Sequence, residues 1–151
     1  MMFLKTKIPP PIVTLIFALA IYFSSRYFIV LEIPMRGMLS SIFIILGIFV
    51  TFSSAIIFKK KETTIDPMNP DQATTLVTDG MFKITRNPMY LGMLLLLFGL
   101  SVFKGLIVGF IFLPLFVLYI TIFQIIPEEE AMLNLFGEDY KSYSNRVRRW
   151  F

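Results

Sequence analysis

The chain has no cysteine and no histidine. Without cysteine it can form no disulfide, present no thiolate nucleophile and build no zinc–thiolate site. Without histidine it lacks the side chain that most often serves as base or metal ligand near neutral pH. Any chemistry therefore falls to carboxylates, tyrosines, arginines or a bound cofactor. Charge is scarce as well. Only 16% of the 151 residues are charged, while 56% are hydrophobic. A soluble domain of this length seldom reaches that apolar fraction. The formal charge of +4 does not point to nucleic acid, because the basic residues flank apolar runs and read as a topology signal.

Apolar runs of ~18 or more residues read as membrane spans. The sequence suggests four, at about 12–31, 38–58, 88–103 and 106–126. Ala18-Leu19-Ala20, following Lys5 and Lys7, resembles a signal-peptidase site. The apolar run continues through Ile21, Tyr22 and Phe23, however, so a retained span is expected. Glu32, Pro34 and Arg36 make a short turn, and the second run stops at Lys59-Lys60-Lys61. A long polar connection follows, and loops of that length are often functional. Within it, Thr74-Thr75-Leu76-Val77-Thr78 reads as a strand or as an extended segment lying against the helices. Lys104-Gly105 turns the chain between the third and fourth runs. Pro114 is expected to kink the fourth.

Residues 128–151 read as a helix interrupted near Gly137. Met132, Leu133, Phe136, Tyr140, Tyr143 and Val147 recur with amphipathic spacing, suited to a membrane surface or to packing beneath the bundle. Eleven basic residues fall on one side of the four runs: Lys5, Lys7, Lys59, Lys60, Lys61, Lys83, Arg86, Lys141, Arg146, Arg148 and Arg149. Arg36 and Lys104 fall on the other. This split predicts a multi-pass protein of the cytoplasmic membrane with both termini cytosolic. The expected fold is an all-α integral membrane protein, one domain over 1–151. It has about four transmembrane helices, a cytosolic loop at 59–87 and a cytosolic C-terminal amphipathic helix at 128–151.

Two polar clusters bracket the last two apolar runs. Thr85-Arg86-Asn87-Pro88-Met89-Tyr90-Leu91-Gly92 opens the third, and Pro127-Glu128-Glu129-Glu130 closes the fourth. At ~1.5 Å per residue the hairpin rises roughly 24 Å and returns roughly 33 Å, so both clusters reach one membrane face. Ionisable groups there are costly unless they serve a purpose. Pro88 suits a first helical turn, whose N–H groups can bind an anion such as a carboxylate. Arg86 adds a planar, permanently charged fork. Glu128 and Glu129 can accept from an ammonium or from sugar hydroxyls. Phe82, Tyr90, Phe136, Tyr140 and Tyr143 offer aromatic faces. Together these features describe a pocket for an amphoteric nucleoside such as S-adenosyl-L-methionine. Each also has a plainer reading: Arg86 as a snorkelling anchor, the glutamates as a favourable helix start, the tyrosines as an interfacial belt.

The arrangement resembles the isoprenylcysteine carboxyl methyltransferases and their bacterial relatives, whose motifs overlap with those of phospholipid N-methyltransferases. The resemblance spans about Thr74 to Trp150. It rests on Leu76-Val77-Thr78-Asp79-Gly80-Met81-Phe82 and Arg86-Asn87-Pro88-Met89-Tyr90-Leu91-Gly92. It continues with Glu128-Glu129 ahead of Phe136-Gly137, then Tyr140, Tyr143 and Arg146-Val147. It implies an integral-membrane methyltransferase with S-adenosyl-L-methionine as cofactor. Thr75, Leu76, Val77, Phe82, Asn87, Pro88, Met89, Tyr90 and Glu128 would line the cofactor pocket, and Arg86 and Glu129 would be the catalytic pair at its substrate end or brace. Two positions depart from the family pattern. Asn87 stands where His is frequent, and Arg148 where a proline usually follows the Tyr-x-x-Tyr stretch, which leaves the path of the tail open.

The partners expected are membrane lipids and a lipophilic acceptor entering sideways between helices. Direct displacement at the sulfonium methyl needs alignment more than proton transfer. A carboxylate acceptor, as in isoprenylcysteine-like O-methylation, would need only orientation by Arg86. A phospholipid or small-amine acceptor would need Glu128 or Glu129 as base. A third possibility is a non-enzymatic lipid-binding or assembly protein that keeps the same fold.

Overall fold

The computed structural model describes residues 8–24, 26–61, 73–105, 107 and 109–151. Among these the regular structure is helical: α1 Pro10–Ser24, α2 Arg36–Lys60, α3 Pro88–Lys104, α4 Gly109–Ile120 and α5 Ile126–Arg146. A 3-10 turn at Gly80–Lys83 precedes α3, and a π-helical turn at Thr121–Ile125 joins α4 to α5. Two helical stretches are long and apolar enough to cross a membrane, Arg36–Lys60 and Gly109–Arg146. α1 and α3 are apolar but shorter.

The first helix is shorter than the apolar run that contains it. The run was expected to span 12–31, yet the helix stops at Ser24, whose hydroxyl donates to the Ile21 carbonyl at 2.7 Å. Beyond it the Arg26 N–H donates to the Phe23 carbonyl at 3.2 Å, and its guanidinium lies 5.6 Å from the centre of the Phe23 ring. Leu31 N–H donates to the Gly105 carbonyl at 2.7 Å, tying this connection to the α3–α4 turn. Gly105 takes φ 64° as it closes α3, a left-handed conformation that suits glycine.

α2 and α3 cross closely because their contact is made of small residues. A Cβ on Gly47 would lie 2.7 Å from the Gly92 carbonyl oxygen, and one on Gly99 would lie 2.8 Å from the Ile44 side chain. In a bilayer, where lipid tails match leucine in polarity, close backbone approach of this kind drives helix association. α1 and α4 pack on the remaining faces of α3. Val13, Ile21, Leu97, Leu113, Phe116 and Ile120 form the core between them.

The fourth run does not end at 126. The chain stays helical from Gly109 through the π turn into α5, and the break comes at Gly137, with φ 52° and ψ −121°. Ile126 N–H reaches back five residues to the Thr121 carbonyl. Pro127 follows at once with no N–H to donate, and the widened turn absorbs that lost bond. The Thr74–Thr78 stretch forms no strand; it runs as irregular chain with Val77 buried. The polar residues 62–72, part of the expected 59–87 loop, lie outside the described residues. The outer faces of the helices remain apolar: Leu15, Phe49, Phe52, Ile111 and Leu118 are exposed. A surface this apolar needs cover.

Candidate functional site

A cavity of about 320 Å³ opens where the start of α3 meets the start of α5. The residues assigned to the cofactor pocket and the catalytic pair line it, whereas Phe136, also expected to offer an aromatic face, does not. Thr75, Leu76 and Val77 come from the irregular segment, and Phe82 from the 3-10 turn. Arg86, Asn87, Pro88, Met89 and Tyr90 come from the entry to α3, and Glu128 and Glu129 from the first turn of α5. The sequence did not nominate Pro10, Pro11, Phe58, Ala73, Met93 and Met132, which also line it. Tyr140 and Tyr143, read as aromatic walls or as an interfacial belt, are buried against it at 7% and 4% exposure. A belt would leave them facing lipid, so they are walls. Tyr143 donates its hydroxyl to the Phe82 carbonyl at 2.7 Å, which pins the 3-10 turn to α5. Among the apolar residues of the expected amphipathic stripe, Leu133 instead remains exposed.

Glu128 and Glu129 are adjacent yet have different partners, because neighbouring helical residues point about 100° apart. Glu128 accepts the Tyr90 hydroxyl, joining α5 to α3. Glu129 is held by two arginines. Arg86 Nη2 reaches its Oε1 at 2.7 Å, while Arg149 Nε and Nη2 reach Oε1 at 3.0 Å and Oε2 at 2.6 Å. Arg86 also donates from Nη1 to the Ser144 carbonyl at 3.0 Å, and its buried Nε has no partner among the described residues. With side chains 13% and 18% exposed, Arg86 and Glu129 are neutralised by pairing rather than by water. The hydrogen bond from Arg149 to Glu129 raises the arginine's pKa above its ordinary value.

Sequence reasoning missed Arg149 and the path of the tail. After α5 the chain folds back along the Thr85-Arg86-Asn87 motif. Arg86 N–H donates to the Arg148 carbonyl at 3.0 Å. The Thr85 hydroxyl and the Asn87 side-chain amide both donate to the Arg149 carbonyl, at 3.1 and 2.9 Å. Trp150 Nε1 donates to the Thr121 hydroxyl on the π turn at 3.2 Å. The one signal for this was an arginine pair beside the sole tryptophan, and the charge count absorbed it as a topology mark.

A fit test for S-adenosyl-L-methionine follows from the donor set. The first turn of α3 has no side-chain cap, and Pro88 occupies a position where no N–H is needed. That leaves the Met89 and Tyr90 amides for a carboxylate. Glu128, free of the arginines that neutralise Glu129, supplies a negative counterpart for an ammonium. Phe58, Phe82, Tyr140 and Tyr143 supply flat apolar faces. The volume falls within the ~300–1,000 Å³ of small-molecule sites. The residues present fit the group.

A helical fold with apolar outer faces, two helices of membrane-crossing length and an aromatic-walled pocket at one end defines a membrane protein with a cavity of small-molecule size. The sequence pattern of the phospholipid methyltransferase family matches residues 35–139, well over half of the chain. The protein belongs to that family, which is related to the isoprenylcysteine methyltransferases that the motifs resemble. An uncharacterized protein of Haemophilus influenzae is 37% identical over 62 residues, a stretch that makes up 41% of this chain and 98% of that protein. No solved structure matches the chain.

Proposed function

We propose that the protein is an integral-membrane methyltransferase that uses S-adenosyl-L-methionine, with four spans, both termini cytosolic and the cavity at the cytosolic face. The observation that carries this reading is the convergence of the α3 entry, Glu128 and the aromatic walls on one cavity. When bound, the cofactor supplies an electrophilic sulfonium methyl. The first turn of α3 holds its carboxylate, Glu128 its ammonium, and the aromatic walls its base. Asn87 offers a side-chain carbonyl, since its amide is engaged by the tail. Arg86 and Glu129 fix the far end of the cavity, and burial keeps water from the reacting atoms.

The finer question is the acceptor. Isoprenylcysteine-like carboxyl O-methylation would require Arg86 to orient an acceptor carboxylate, but Arg86 is already committed to Glu129 and the Ser144 carbonyl. With Glu128 assigned to the cofactor's ammonium and Glu129 held by two arginines, no cationic receptor is left for an acceptor carboxylate. This favours an amine, as in a phospholipid headgroup or small lipophilic amine, which attacks as the neutral base, releases S-adenosyl-L-homocysteine and carries its proton away on the methylated ammonium. The O-methylation reading keeps one support, the Arg86 Nε, which has no partner among the described residues. The test is purified protein with methyl-labelled S-adenosyl-L-methionine, offered phosphatidylethanolamine vesicles or a prenylcysteine. Label in the amine lipid upholds the N-methyl reading, and label only in a base-labile ester replaces it with O-methylation. No transfer, together with no binding of S-adenosyl-L-homocysteine, leaves the non-enzymatic lipid-binding protein.

A further inference from the structure

We propose that Arg149 is a positioning residue that sets the far end of the cavity, gripping Glu129 with its side chain and Asn87 with its backbone carbonyl. The proposal rests on the methyltransferase reading and adds a residue that lies outside both the family match, 35–139, and the cavity lining. One residue thus controls two parts of the pocket that come from different helices. Its fork meets the carboxylate on α5, 20 positions away, at 3.0 and 2.6 Å. Its carbonyl receives the Asn87 amide at 2.9 Å and the Thr85 hydroxyl at 3.1 Å, 62 and 64 positions away.

A planar fork on a carboxylate fixes direction as well as distance, which a single hydrogen bond does not. Arg86 alone would hold Glu129 through Oε1, leaving the carboxylate free to swing about that contact. Arg149 engages both oxygens and removes the freedom. The same side chain anchors the tail, so releasing it also loosens the carbonyl that orients Asn87. Arg148 adds a third tie through Arg86 N–H. Arg149 therefore acts on the pocket through Glu129 and Asn87, which line it, without lining it itself.

The experiment uses the full chain in detergent with Arg149→Ala, Arg149→Lys, Glu129→Gln and the double variant Arg149→Ala/Glu129→Gln. Trp150 is the sole tryptophan, so its emission and acrylamide quenching report tail docking without any assay of activity. In Arg149→Ala we expect a red shift and stronger quenching, partly reversed in Arg149→Lys. Turnover should fall about tenfold or more, the scale of a small misplacement in an active site, while affinity for S-adenosyl-L-homocysteine falls by a smaller factor, since Asn87 loses its anchor and the other pocket residues keep theirs. The double variant should be no slower than the slower single variant, the mark of two residues acting through one contact. Additive losses, or emission and turnover both unchanged in Arg149→Ala, would overturn the proposal. So would a drop in melting temperature that removes cofactor binding and turnover together and that lysine fails to restore. A tail that responds to Arg149→Ala in a wild-type protein that binds no S-adenosyl-L-homocysteine would sink the methyltransferase reading while upholding the grip on the tail.

Discussion

Replacing Glu128 with Gln isolates the charge that the cofactor reading needs. The Tyr90 hydroxyl donates to one Glu128 oxygen, and glutamine keeps a carbonyl there to accept it. The change is nearly isosteric, so packing around Tyr90, itself 7% exposed, is retained. What disappears is the negative charge. A hydrogen bond to a charged group contributes about 1.5–3 kcal/mol, and every 1.4 kcal/mol is a factor of ten in affinity, so S-adenosyl-L-homocysteine should bind about 10- to 150-fold more weakly. Calorimetry on detergent-purified protein reads the change directly, and thermal unfolding beside it should show a melting temperature close to wild type. An unchanged dissociation constant in folded Glu128→Gln protein would refute the assignment of Glu128 as the cofactor's counter-charge.

Three further outcomes follow from the same geometry. Gly92→Ala forces a Cβ to within 2.8 Å of the Gly47 carbonyl oxygen and should destabilise the α2–α3 crossing by about 1–3 kcal/mol, the usual range for overpacking; a melting temperature equal to wild type would contradict that crossing. Tyr143→Phe removes the donor to the Phe82 carbonyl and should cost about 1–3 kcal/mol, since a buried acceptor is left unsatisfied, with faster protease cleavage near Gly80–Lys83 as the local readout. Asp79 is held below the usual carboxylate range by its hydrogen bond to Lys61 and that residue's charge. Its depressed folded-state pKa means the pair's contribution is present at neutral pH and lost as acid protonates Asp79. Both side chains are exposed, so Asp79→Asn should leave the neutral-pH melting temperature unchanged, and a clear drop would show that the pair does more than a surface ion pair can.

What was legible in the sequence, and what was not, divides along a physical line. Apolar runs and charge asymmetry indicate helices, and Arg86-Asn87-Pro88 with Glu128-Glu129 marks a hairpin whose ends meet, because such features depend on residue type and spacing. The limits of α1 and α4 were not legible. α1 stops at Ser24 although apolar residues continue beyond it, and nothing in their type marks that stop. The π turn places Pro127 inside a continuing helix, whereas a proline after an apolar run reads as its end. The tail was least legible of all. Its path is set by donors reaching the carbonyls of Arg148 and Arg149, and every residue has a carbonyl.

The glutamate pair carries the division of labour at the site. Glu128 and Glu129 are neighbours at the mouth of the cavity, and the helix turns them about 100° apart, so each meets its own partners. Glu129 faces α3's entry and the returning tail, where two guanidinium groups cancel its charge and lock its direction. Glu128 faces Tyr90, a neutral donor that orients it without cancelling it. One carboxylate is therefore used up in building the pocket wall, and the other remains available to a cation within it. The same division explains why Arg86 makes a poor receptor for an acceptor carboxylate: pulling it from Glu129 would leave a buried charge held by Arg149 alone, and breaking a buried pair is strongly destabilising. An amine acceptor, which attacks as the neutral base and leaves as the methylated ammonium, meets no such penalty.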